Sequence, residues 1–577
     1  MTLLGALCGR RDATGRDFPK QTDIRTETAL AQTFLFDTAN DDWLTIDQVA
    51  DALGVSGASV RNWIKTGYLA TNKKRHITRE SFETFRDEIA GVEKLTTRAN
   101  KSLVDDHDHQ ALRTRFSNEL KCKGEMTGDQ LSAEYESGLS NSFRNREGIY
   151  YTPSDIAGKF FESIPEDRSG LTFCDPCCGT GNFLIAALEN GFSAADLYGF
   201  DTDETAVEIA KRRVRDKTGL DTDNIRVLDF LHEVIDNPKD AGSYDVVLTN
   251  PPWGKKFPKK EKEFLVSHLG GKKSTDASTL FFHAAVRVVT AGGYLGMLLP
   301  DAFFNVASFK EARDKVLSFR LLNVTDFGKP FRTLLTKAKG LVVQLESPAA
   351  DGLVTCNTPI GQHQRSQRSF AANPKSILNF AASPVAADAI AHLLTVPHKT
   401  LTGNARWGLG IVTGNNKRFI REANAQGYIP VYKGCDISKR SLAAPSAFIP
   451  DDLSLYQQVA PLELYEAKDK LLYRFISSDL VFFHDTEQRF ILNSANMLVL
   501  DEGFPITAQV LARFLNTNLI NWLFKAMFET HKVLRSDLEC LPIFTDFLVA
   551  ENEFEEASLL DYLGIVEDGD GSYQVKR

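Results

Sequence analysis

The 577-residue chain lacks several features that would place it in common alternative classes. It has no apolar run approaching the ~20 residues that cross a bilayer as a helix. Its opening apolar stretch, Met1–Leu7, is shorter than a signal peptide and is soon followed by Arg10 and Arg11. Its eight cysteines are too few for a disulfide framework in a chain of this length. We therefore expect a cytoplasmic protein with several domains, because one core cannot serve this many residues.

An overall excess of positive charge is also missing, since the formal net charge is −9. Residues 546–577 alone hold nine acidic side chains against Lys576 and Arg577, so the rest of the chain is close to neutral. Positive charge clusters in two places, residues 61–79 and 255–273. Local basic patches matter more for contact with phosphates than the total charge does. Each cluster also fits an ordinary solvated surface, but the second begins two residues after an unusual tetrapeptide described below.

The composition and periodicity of the sequence divide the chain into six segments. They are a loose N-terminal arm (1–41), a compact helical unit (42–90), a polar linker (91–111), an alternating helix–strand domain (112–375), a C-terminal domain (395–545) and an acidic tail (546–577).

The unit at 42–90 shows the spacing of a helix-turn-helix. Thr45–Gln48 is a capping box that opens one helix, and Gly54–Ser56 forms a short turn in which Ser56 caps a second helix. Arg61 and Lys65 lie on that second helix and are predicted DNA contacts, and residues 67–77 are a candidate basic wing. The segment resembles the winged helix-turn-helix domains of the MerR and excisionase type. Such folds also serve as protein-contact modules, so that alternative stays open.

Between residues 112 and 347 the pattern predicts a doubly wound α/β sheet with seven strands. The predicted strands are Leu171–Asp175, Leu197–Asp201, Asn224–Asp229, Tyr244–Asn250, Tyr294–Pro300, Leu321–Phe327 and Gly340–Leu345. The predicted helices between them include Asn182–Asn190, Glu204–Lys217, Leu280–Val289 and Ser308–Phe319.

The first predicted strand ends in the turn Asp175–Phe183, which contains Gly179 and Gly181. Glycines at this point let the backbone approach a ligand at a helix N-terminus. The turn is neither a P-loop nor the dinucleotide fingerprint, because neither glycine pattern is present. An acid placed before the glycines suits a ligand with a cationic amino group and no phosphate.

Acidic residues also end the next two predicted strands. Asp201 follows the turn at the distance where an acid can accept hydrogen bonds from a ribose diol. Asp229 and Phe230 provide an acceptor and an aromatic face suited to an adenine. Each acid alone could instead be a helix N-cap, although the repetition at successive strand ends favours a ligand site.

The fourth strand ends in Asn250-Pro251-Pro252-Trp253. The prolines donate no hydrogen bond and fix the local backbone. The Asn250 carboxamide and the neighbouring carbonyls are therefore rigid acceptors at the carboxyl end of a strand, where α/β sheets bind ligands. They suit an exocyclic amino group, and Trp253 offers a flat face for its ring. A proline-terminated strand with a capping Asn is the simpler alternative for the tetrapeptide alone.

In combination these motifs resemble the AdoMet-dependent amino-methyltransferases of DNA. Upstream, Gly148–Pro153 resembles the other cofactor motif of that family, and it precedes the glycine turn and then the tetrapeptide. This order is that of the gamma class of N6-adenine methyltransferases in bacterial restriction–modification systems. Gly410–Phe419, Tyr432–Ile437 and Phe514–Leu519 resemble parts of the specificity domain of those enzymes. The resemblance covers about residues 112–545.

The resemblance implies a seven-stranded Rossmann-like methyltransferase domain, preceded by the helix-turn-helix and followed by an α+β target-recognition domain. The cofactor residues that it implies are Tyr151 and Thr152 at the methionine end, Asp175, Gly179 and Gly181 in the turn, Asp201 at the ribose, and Asp229, Phe230 and Phe281 around the adenine. The catalytic residues that it implies are Asn250, Pro251, Pro252 and Trp253, with Phe331 on the opposite face of the target base. The nearby Phe327 is an alternative to Phe331 for that last role. The DNA contacts that we expect outside the helix-turn-helix are Lys255 and Lys256 in the catalytic domain and Lys417 and Arg418 in the recognition domain.

The implied reaction moves a methyl group from AdoMet to N6 of an adenine flipped out of duplex DNA. We expect no metal, a monomer, and a separate cognate endonuclease against which host DNA is protected. The alternatives are N4-cytosine methylation, for which the same acceptors suffice, and methylation of RNA or protein amino groups. A transcriptional regulator with a relic methyltransferase fold is a non-enzymatic alternative.

Overall fold

The computed structural model describes residues 43–53, 57–65, 68–71, 76–86, 98–121, 126–238, 242–271, 276–331 and 336–576. The predicted arm, the capping residue Ser56, the Lys65 side chain and part of the predicted wing lie outside the described residues. The chain divides into two compact units, residues 1–115 with 138–143, and residues 116–137 with 144–577. In the described parts, no helix is both long and apolar enough to span a membrane.

The first unit contains the predicted helix-turn-helix. Its elements are β1 (Trp43–Leu44), α1 (Ile46–Ala52), α2 (Gly57–Lys65), β2 (Ile77–Thr78) and α3 (Arg79–Thr84). Thr45 forms the predicted capping box, because its Oγ1 accepts a hydrogen bond from the Gln48 amide while the Gln48 side chain accepts one from the Thr45 amide. Trp63 lies in the core against Phe85, with ring centroids 4.6 Å apart. The helix-turn-helix prediction is confirmed.

The segment predicted as a linker is partly helical. Helix α4 (Arg98–Lys121) includes residues 98–111 of that segment, and α5 (Gly128–Gly138) and α6 (Asn141–Glu147) follow. The first half of α4, Arg98–His109, contains few apolar residues, so no periodic stripe marked it as a helix in the sequence.

Among the described residues of the second unit, nine strands form one sheet. They are β3 (Phe173–Asp175), β4 (Leu197–Asp201), β5 (Ile225–Val227), β6 (Tyr244–Thr249), β7 (Val289–Pro300), β8 (Arg320–Asp326), β9 (Ala338–Gln344), β10 (Leu353–Thr358) and β11 (Gly361–Ser366). The order across the sheet is β11-β10-β8-β9-β7-β6-β3-β4-β5. All seven predicted strands are present, with bounds shifted by a few residues. The hairpin of β10 and β11 was not predicted, because its strands are largely polar.

The predicted doubly wound α/β fold is confirmed by this topology. Strands β3 to β7 are parallel, and β9 runs antiparallel to both β7 and β8. Strand β3 lies between β6 and β4, so the strand order reverses there. In an open α/β sheet, ligands bind beside the carboxyl ends of the strands at such a reversal. That position lies between the end of β3 at Asp175 and the end of β6 at Thr249.

Helices flank this sheet and contribute its cores. They are α7 (Ser154–Lys159), α8 (Asn182–Glu189), α9 (Glu204–Thr218), α10 (Phe230–Asp236), α11 (Lys259–Leu269), α12 (Ala277–Val288), α13 (Ala302–Asn305), α14 (Lys310–Leu317) and α15 (Gln367–Ala371). The four helices predicted in this region correspond to α8, α9, α12 and α14. Two apolar clusters hold the sheet, one containing Phe173 and Leu184 and the other Val247 and Phe282.

The C-terminal domain is α+β, as predicted. Its strands are β12 (Ala405–Leu409), β13 (Tyr428–Tyr432), β14 (Ala447–Pro450), β15 (Lys470–Arg474), β16 (Phe482–Asp485), β17 (Phe490–Ile491) and β18 (Ala495–Leu500). Its helices are α16 (Pro384–Thr395), α17 (Asn416–Phe419), α18 (Leu462–Tyr465), α19 (Ala508–Leu515), α20 (Asn518–Phe528) and α21 (Arg535–Leu538). The strands make a four-stranded sheet, β12-β18-β15-β16, and a three-stranded sheet, β14-β13-β17.

The segment predicted as an acidic tail is folded. It forms α22 (Thr545–Ala550), α23 (Glu556–Leu563), β19 (Ile565–Glu567) and β20 (Tyr573–Val575). Leu559, Leu563 and Tyr573 are almost fully buried, and the His392 side chain on α16 lies within hydrogen-bonding distance of the Leu563 carbonyl, 2.7 Å away. Most of the acids between these apolar residues are exposed, and Glu556 is half-buried. The prediction of an acidic tail, which rested on net charge alone, is therefore wrong.

A buried ion pair joins the catalytic sheet to the C-terminal domain. Lys339 on β9 is 2% exposed, and its Nζ lies 2.8 Å from Asp301 Oδ1 and 2.8 Å from Glu529 Oε2. Glu529 ends α20, with a left-handed φ of 47°. Next to it, the Asn305 amide donates a 2.6 Å hydrogen bond to the Phe528 carbonyl. The C-terminal end of α20 is thus fixed to the ends of β7 and β9.

Candidate active site

The glycine turn begins at a buried carboxylate. Asp175 ends β3 and is 1% exposed. Its Oδ1 accepts a 2.7 Å hydrogen bond from the Thr249 hydroxyl and a 3.0 Å bond from the Cys177 amide. Burial raises the pKa of this carboxyl to about 7, and those two hydrogen bonds only partly oppose the shift. Asp175 therefore connects the end of β6 to the start of the turn. Its buried carboxylate would be stabilised by a nearby cation.

The two predicted glycines have backbone angles that other residues rarely adopt, with φ of 49° at Gly179 and 90° at Gly181. A Cβ at Gly179 would lie 2.9 Å from the Tyr151 ring. The Gly179 amide donates a 2.9 Å hydrogen bond to Asp201 Oδ2. The structure therefore brings Tyr151, Gly179 and Asp201 together, as the sequence predicted for a cofactor site. Thr152 is buried beside Tyr151, at 4% exposed.

The remaining predicted cofactor residues differ in their surroundings. Asp201 accepts a further 2.9 Å bond from the Asp203 amide, and burial raises the pKa of its carboxyl. Asp229 is exposed and caps α10 by accepting a hydrogen bond from the His232 amide, so any contact of Asp229 with a cofactor would be additional to this capping role. Phe230 and Phe281 lie parallel, with centroids 6.3 Å apart and an interplanar angle of 12°.

A polar network behind the turn was not predicted. Glu136 on α5 accepts hydrogen bonds through Oε1 from the Thr180 hydroxyl at 2.6 Å and the Ser132 hydroxyl at 3.1 Å, and burial raises the pKa of its carboxyl. Arg213 on α9 donates to the Thr180 carbonyl at 2.9 Å and to Asn182 Oδ1 at 2.7 Å. Glu136 and Arg213 therefore hold the glycine turn in place through their hydrogen bonds to Thr180 and Asn182. Tyr135 and Glu136 are adjacent in the sequence, but their distance from the glycine turn along the chain did not predict a contact with it.

The tetrapeptide leaves a buried acceptor unused. The Asn250 amide nitrogen donates a hydrogen bond to the Tyr150 carbonyl, which fixes the orientation of the carboxamide. Its Oδ1 is buried and has no hydrogen-bond partner among the described residues. The carbonyl of Pro251 likewise accepts no hydrogen bond within the described parts of the chain. Leaving a buried acceptor unpaired costs about 1–3 kcal/mol, so such groups commonly serve a ligand.

The tetrapeptide lies directly against the upstream motif. The Trp253 amide donates a 3.1 Å hydrogen bond to the Gly148 carbonyl. Gly148 has a φ of 73°, and a Cβ there would lie 2.6 Å from the Trp253 nitrogen. Gly148 therefore permits a backbone approach that fixes Tyr150 and Asn250 relative to each other.

Replacing Gly148 with alanine should displace the tetrapeptide. We expect the rate of methyl transfer to fall by about 100-fold, because misplacing reacting groups by about 1 Å has effects of that size. Gly191→Ala is the matched control, since Gly191 also has a positive φ of 92°, but a Cβ added there would have no atom of the described residues within 4 Å. Single-turnover rates would distinguish the two variants. Equal losses in both would contradict the importance of the contact between Gly148 and Trp253.

Three aromatic rings, one of them from the tetrapeptide, pack against one another. Trp253 is 5% exposed, and its indole nitrogen donates a 3.2 Å hydrogen bond to the Leu298 carbonyl. Phe331 is 8% exposed and meets Trp253 edge to face, with centroids 5.4 Å apart. The Tyr150 ring lies 5.9 Å from Trp253 and 5.4 Å from Phe331. The structure brings Trp253 and Phe331 together, and it adds Tyr150, for which no role was predicted.

The predicted DNA-contacting cations lie on separate elements. Arg61 is exposed on α2, Lys256 follows the tetrapeptide, and Lys417 and Arg418 are exposed on α17. Lys255 is half-buried, with Nζ 3.5 Å from Glu147 Oε2. The described part of the chain contains no group of three or more His, Cys, Asp or Glu side chains suited to hold a metal ion.

Comparison with known proteins identifies the three folded parts. Residues 126–323 match the family described as N-6 DNA Methylase, residues 429–543 the TaqI-like C-terminal specificity domain, and residues 43–89 a helix-turn-helix domain. The chain is 48% identical over 411 residues to the type II methyltransferase M.VspI of a Vibrio species (strain 343), covering 71% of this chain and all of that protein. The chain belongs to the N6-adenine DNA methyltransferase family.

The comparisons also found more distant likenesses. The methyltransferase is 30% identical over 165 residues to the methylase subunit of the type I restriction enzyme MjaIX of Methanocaldococcus jannaschii, covering 26% of this chain and 28% of that protein. A solved structure of the type IIL restriction-modification enzyme MmeI with DNA covers 71% of this chain and 69% of that chain, at 12% identity and a TM-score of 0.45. The family membership establishes an adenine-specific, AdoMet-dependent DNA methyltransferase of restriction–modification type.

Proposed function

We propose that this methyltransferase modifies N6 of one adenine within a specific duplex sequence, after flipping that adenine into the pocket beside Asn250. The unpaired, buried Asn250 Oδ1 carries the proposal. Asn250 directly follows β6, beside the point where the strand order of the sheet reverses, and the Tyr150 carbonyl holds the Asn250 carboxamide in one orientation. An exocyclic amino group is the donor that suits two adjacent unpaired acceptors, Asn250 Oδ1 and the Pro251 carbonyl.

The chemistry follows from these acceptors. The lone pair of an adenine amino nitrogen is delocalised into the ring, so the nitrogen is a weak nucleophile. Accepting both of its hydrogens would draw the nitrogen toward tetrahedral geometry and raise the electron density available for attack. Pro252 keeps the backbone rigid at this point. Most of the catalysis is then positioning and electrostatic stabilisation by groups already in place.

The residues around the glycine turn fit AdoMet. A Cβ at Gly179 would fill the space against Tyr151, and the buried Asp175 and Asp201 carboxyls favour a cationic ligand. Thr152 and Tyr151 would bind the methionine part, Asp201 the ribose hydroxyls, and Asp229, Phe230 and Phe281 the adenine. Bound there, AdoMet supplies an electrophilic methyl group on its sulfonium.

Sequence choice is assigned to the TaqI-like domain, where Lys417 and Arg418 can reach phosphates or base edges. Lys255 and Lys256 would contact the DNA backbone near the flipped base, and Arg61 and Lys65 would contact DNA through the helix-turn-helix. We further propose that the protein acts as a cytoplasmic monomer, without a metal. Its methylation would protect host DNA from a separate cognate endonuclease.

The raised pKa of Asp175 predicts pH-dependent cofactor binding. The free protein holds a proton on this carboxyl up to about pH 7, and the proton must leave before the group can face a cation. AdoMet affinity should therefore rise with pH through 7, and at pH 6 it should be about tenfold below the value at pH 8. Without AdoMet, the folded state binds more protons than the unfolded state because of the same pKa shift. The free energy of unfolding that this group contributes therefore decreases as the pH rises from about 4 to 7.

Isothermal titration calorimetry with AdoMet from pH 5.5 to 8.5 measures this dependence. Asp175→Asn should bind more weakly at high pH and show a flat profile. If the AdoMet affinity of Asp175→Asn still rises with pH, the titrating group is another acid of the site, such as Asp201 or Glu136.

Sequencing that detects modified bases, applied to DNA from a host expressing the protein, tests the proposed function. We expect N6-methyladenine at one position of one short sequence, absent when the Asn250→Ala variant is expressed. Modification scattered without a sequence context would contradict site specificity, and modified cytosine would contradict the choice of base.

A further inference from the structure

Two segments of the C-terminal domain, residues 475–477 and 531–533, pair as a short antiparallel ribbon, which we call the junction ribbon. Two backbone hydrogen bonds of 2.9 Å join the segments, from the Ser477 amide to the His531 carbonyl and from the Val533 amide to the Phe475 carbonyl. These bonds fix the two segments relative to each other, so the side chains between them are held in place by backbone on both sides.

The junction ribbon presents an apolar and a cationic side chain next to each other. Ile476 and Lys532 lie opposite each other in it, and the two hydrogen bonds flank this pair. Such a non-hydrogen-bonded pair brings its two side chains close together on the same face. The neighbouring Val533 points to the other face, is 1% exposed and belongs to the core of the domain. Ile476 is 64% exposed, and Lys532 is also exposed.

The positive charge of Lys532 is not compensated within the described residues, where Lys532 has no ion-pair partner. The two acids nearest to the ribbon along the chain are already paired, Asp479 with Lys525 at 2.6 Å and Glu529 with Lys339 at 2.8 Å. A single exposed apolar residue is ordinary. An unpaired cation fixed beside it, however, suits a polyanion that also has apolar groups. Duplex DNA is such a polymer, with phosphates next to sugars and base edges.

The junction ribbon is held at the edge of the sheet that carries the tetrapeptide. Glu529, two residues before the second segment of the ribbon, is bound to Lys339 on β9. Lys339 pairs with Leu299 of β7, and the carbonyl of the preceding Leu298 accepts the hydrogen bond from the Trp253 indole. A short series of contacts therefore connects the ribbon to the tetrapeptide.

We propose that the junction ribbon contacts the duplex that carries the target base, with Lys532 bound to one backbone phosphate and Ile476 packed against sugars and base edges beside it. The proposal rests on the proposed function, which places duplex DNA at the sheet edge that carries Asn250. A phosphate contact positions a protein on DNA without choosing its sequence. Lys532 therefore contributes affinity and orientation, and sequence choice does not depend on it.

Dissociation constants measured at several salt concentrations test the two contacts separately. One DNA is sheared genomic DNA from a host that lacks the protein, and the other is a duplex with the sequence mapped for the wild-type protein. The AdoMet analogue sinefungin is present throughout. The variants are Lys532→Ala and Ile476→Ala.

Two exposed residues elsewhere in the second unit provide matched controls, Lys468→Ala and Val549→Ala. Lys468 is exposed and has no ion-pair partner among the described residues, but it precedes β15, whereas the ribbon follows that strand. Val549 is 57% exposed on α22, between the acids Asp546 and Glu551.

For Lys532→Ala we expect the logarithm of the binding constant to depend less steeply on the logarithm of the salt concentration, by about 0.9, because one phosphate contact is lost. Ile476→Ala changes no charge, so its salt dependence should equal that of wild type. Its binding to the mapped duplex should weaken by about 5- to 30-fold, as the loss of most of a buried apolar side chain implies. Both controls should bind like wild type, and AdoMet affinity without DNA should be unchanged in all four variants.

An unchanged salt dependence of Lys532→Ala with both DNAs would overturn the phosphate contact. Binding of the mapped duplex by Ile476→Ala within about twofold of wild type would overturn the apolar contact. Equal changes in the matched controls would overturn both, because the effect would then not belong to the ribbon. Failure of the proposed function is distinguishable, since the wild-type protein would leave no methyl group on DNA while its binding to genomic DNA would still test the ribbon.

Discussion

Replacing Asn250 with alanine is expected to lower the single-turnover rate of methyl transfer by about 10²- to 10³-fold, the loss typical of removing one preorganised group that stabilises a transition state. The carboxamide oxygen is buried and unpaired, so its only assigned partner is the amino group of the target. AdoMet affinity should change by less than about threefold, since Asn250 is assigned no cofactor contact. A rapid-quench assay under enzyme excess measures the rate.

The Asn250→Asp and Asn224→Ala variants complete this test. Asp retains an acceptor but cannot donate to the Tyr150 carbonyl, so its rate should lie between those of wild type and Asn250→Ala. Asn224 also donates from its side-chain amide to a backbone carbonyl, that of Ala195 at 2.9 Å, but at the edge of the sheet. Asn224→Ala should transfer methyl groups at the wild-type rate. An Asn250→Ala rate within about fivefold of wild type would remove the acceptor from the mechanism.

Replacing Lys339 with methionine is expected to destabilise the second unit by about 3–5 kcal/mol, because it leaves two acidic groups without their buried cation. Lys339 is 2% exposed between Asp301 and Glu529, and its ammonium also lies 4.9 Å from the centroid of the Phe380 ring. Burial lowers the pKa of Lys339, but the two carboxylates outweigh that effect and raise it overall. The midpoint of urea unfolding, followed by tryptophan fluorescence, measures the loss.

Lys310→Met is the matched control for Lys339→Met. Lys310 pairs with Asp314 at 2.6 Å on α14, but both side chains are nearly half exposed. An exposed pair one helical turn apart contributes about 0.3–0.5 kcal/mol. Similar unfolding midpoints for the two variants would show that the buried pair does not stabilise the junction of the catalytic and recognition domains.

The sequence predicted the sheet well because its strands carry continuous apolar runs that end in recognisable residues. Strand β6 reads Tyr-Asp-Val-Val-Leu-Thr and then stops at the prolines, and β4 ends at Asp201 as predicted. Cofactor and substrate residues lie at those strand ends, so chain order and fold topology together placed them at one edge.

The parts that the sequence did not predict depend on contacts between distant segments. The Asn250 carboxamide is oriented by a carbonyl 100 residues away, and Glu136 reaches Thr180 across 44 residues. Neither spacing has a sequence signature. Lys339 likewise appeared as one more strand residue, and its partner Glu529 lies in another domain. The acidic segment 546–577 was misjudged because charge masked its buried leucines.

The central claim is that the two acceptors beside the tetrapeptide hold the N6 amino group of adenine in duplex DNA. Incubating the protein with duplex DNA and AdoMet labelled on its methyl group, followed by hydrolysis and chromatography of the nucleosides, tests it most directly. We predict that the label appears in the N6-methyladenine nucleoside of DNA and is lost with Asn250→Ala. Label in N4-methylcytosine, in RNA or in protein would contradict the claim.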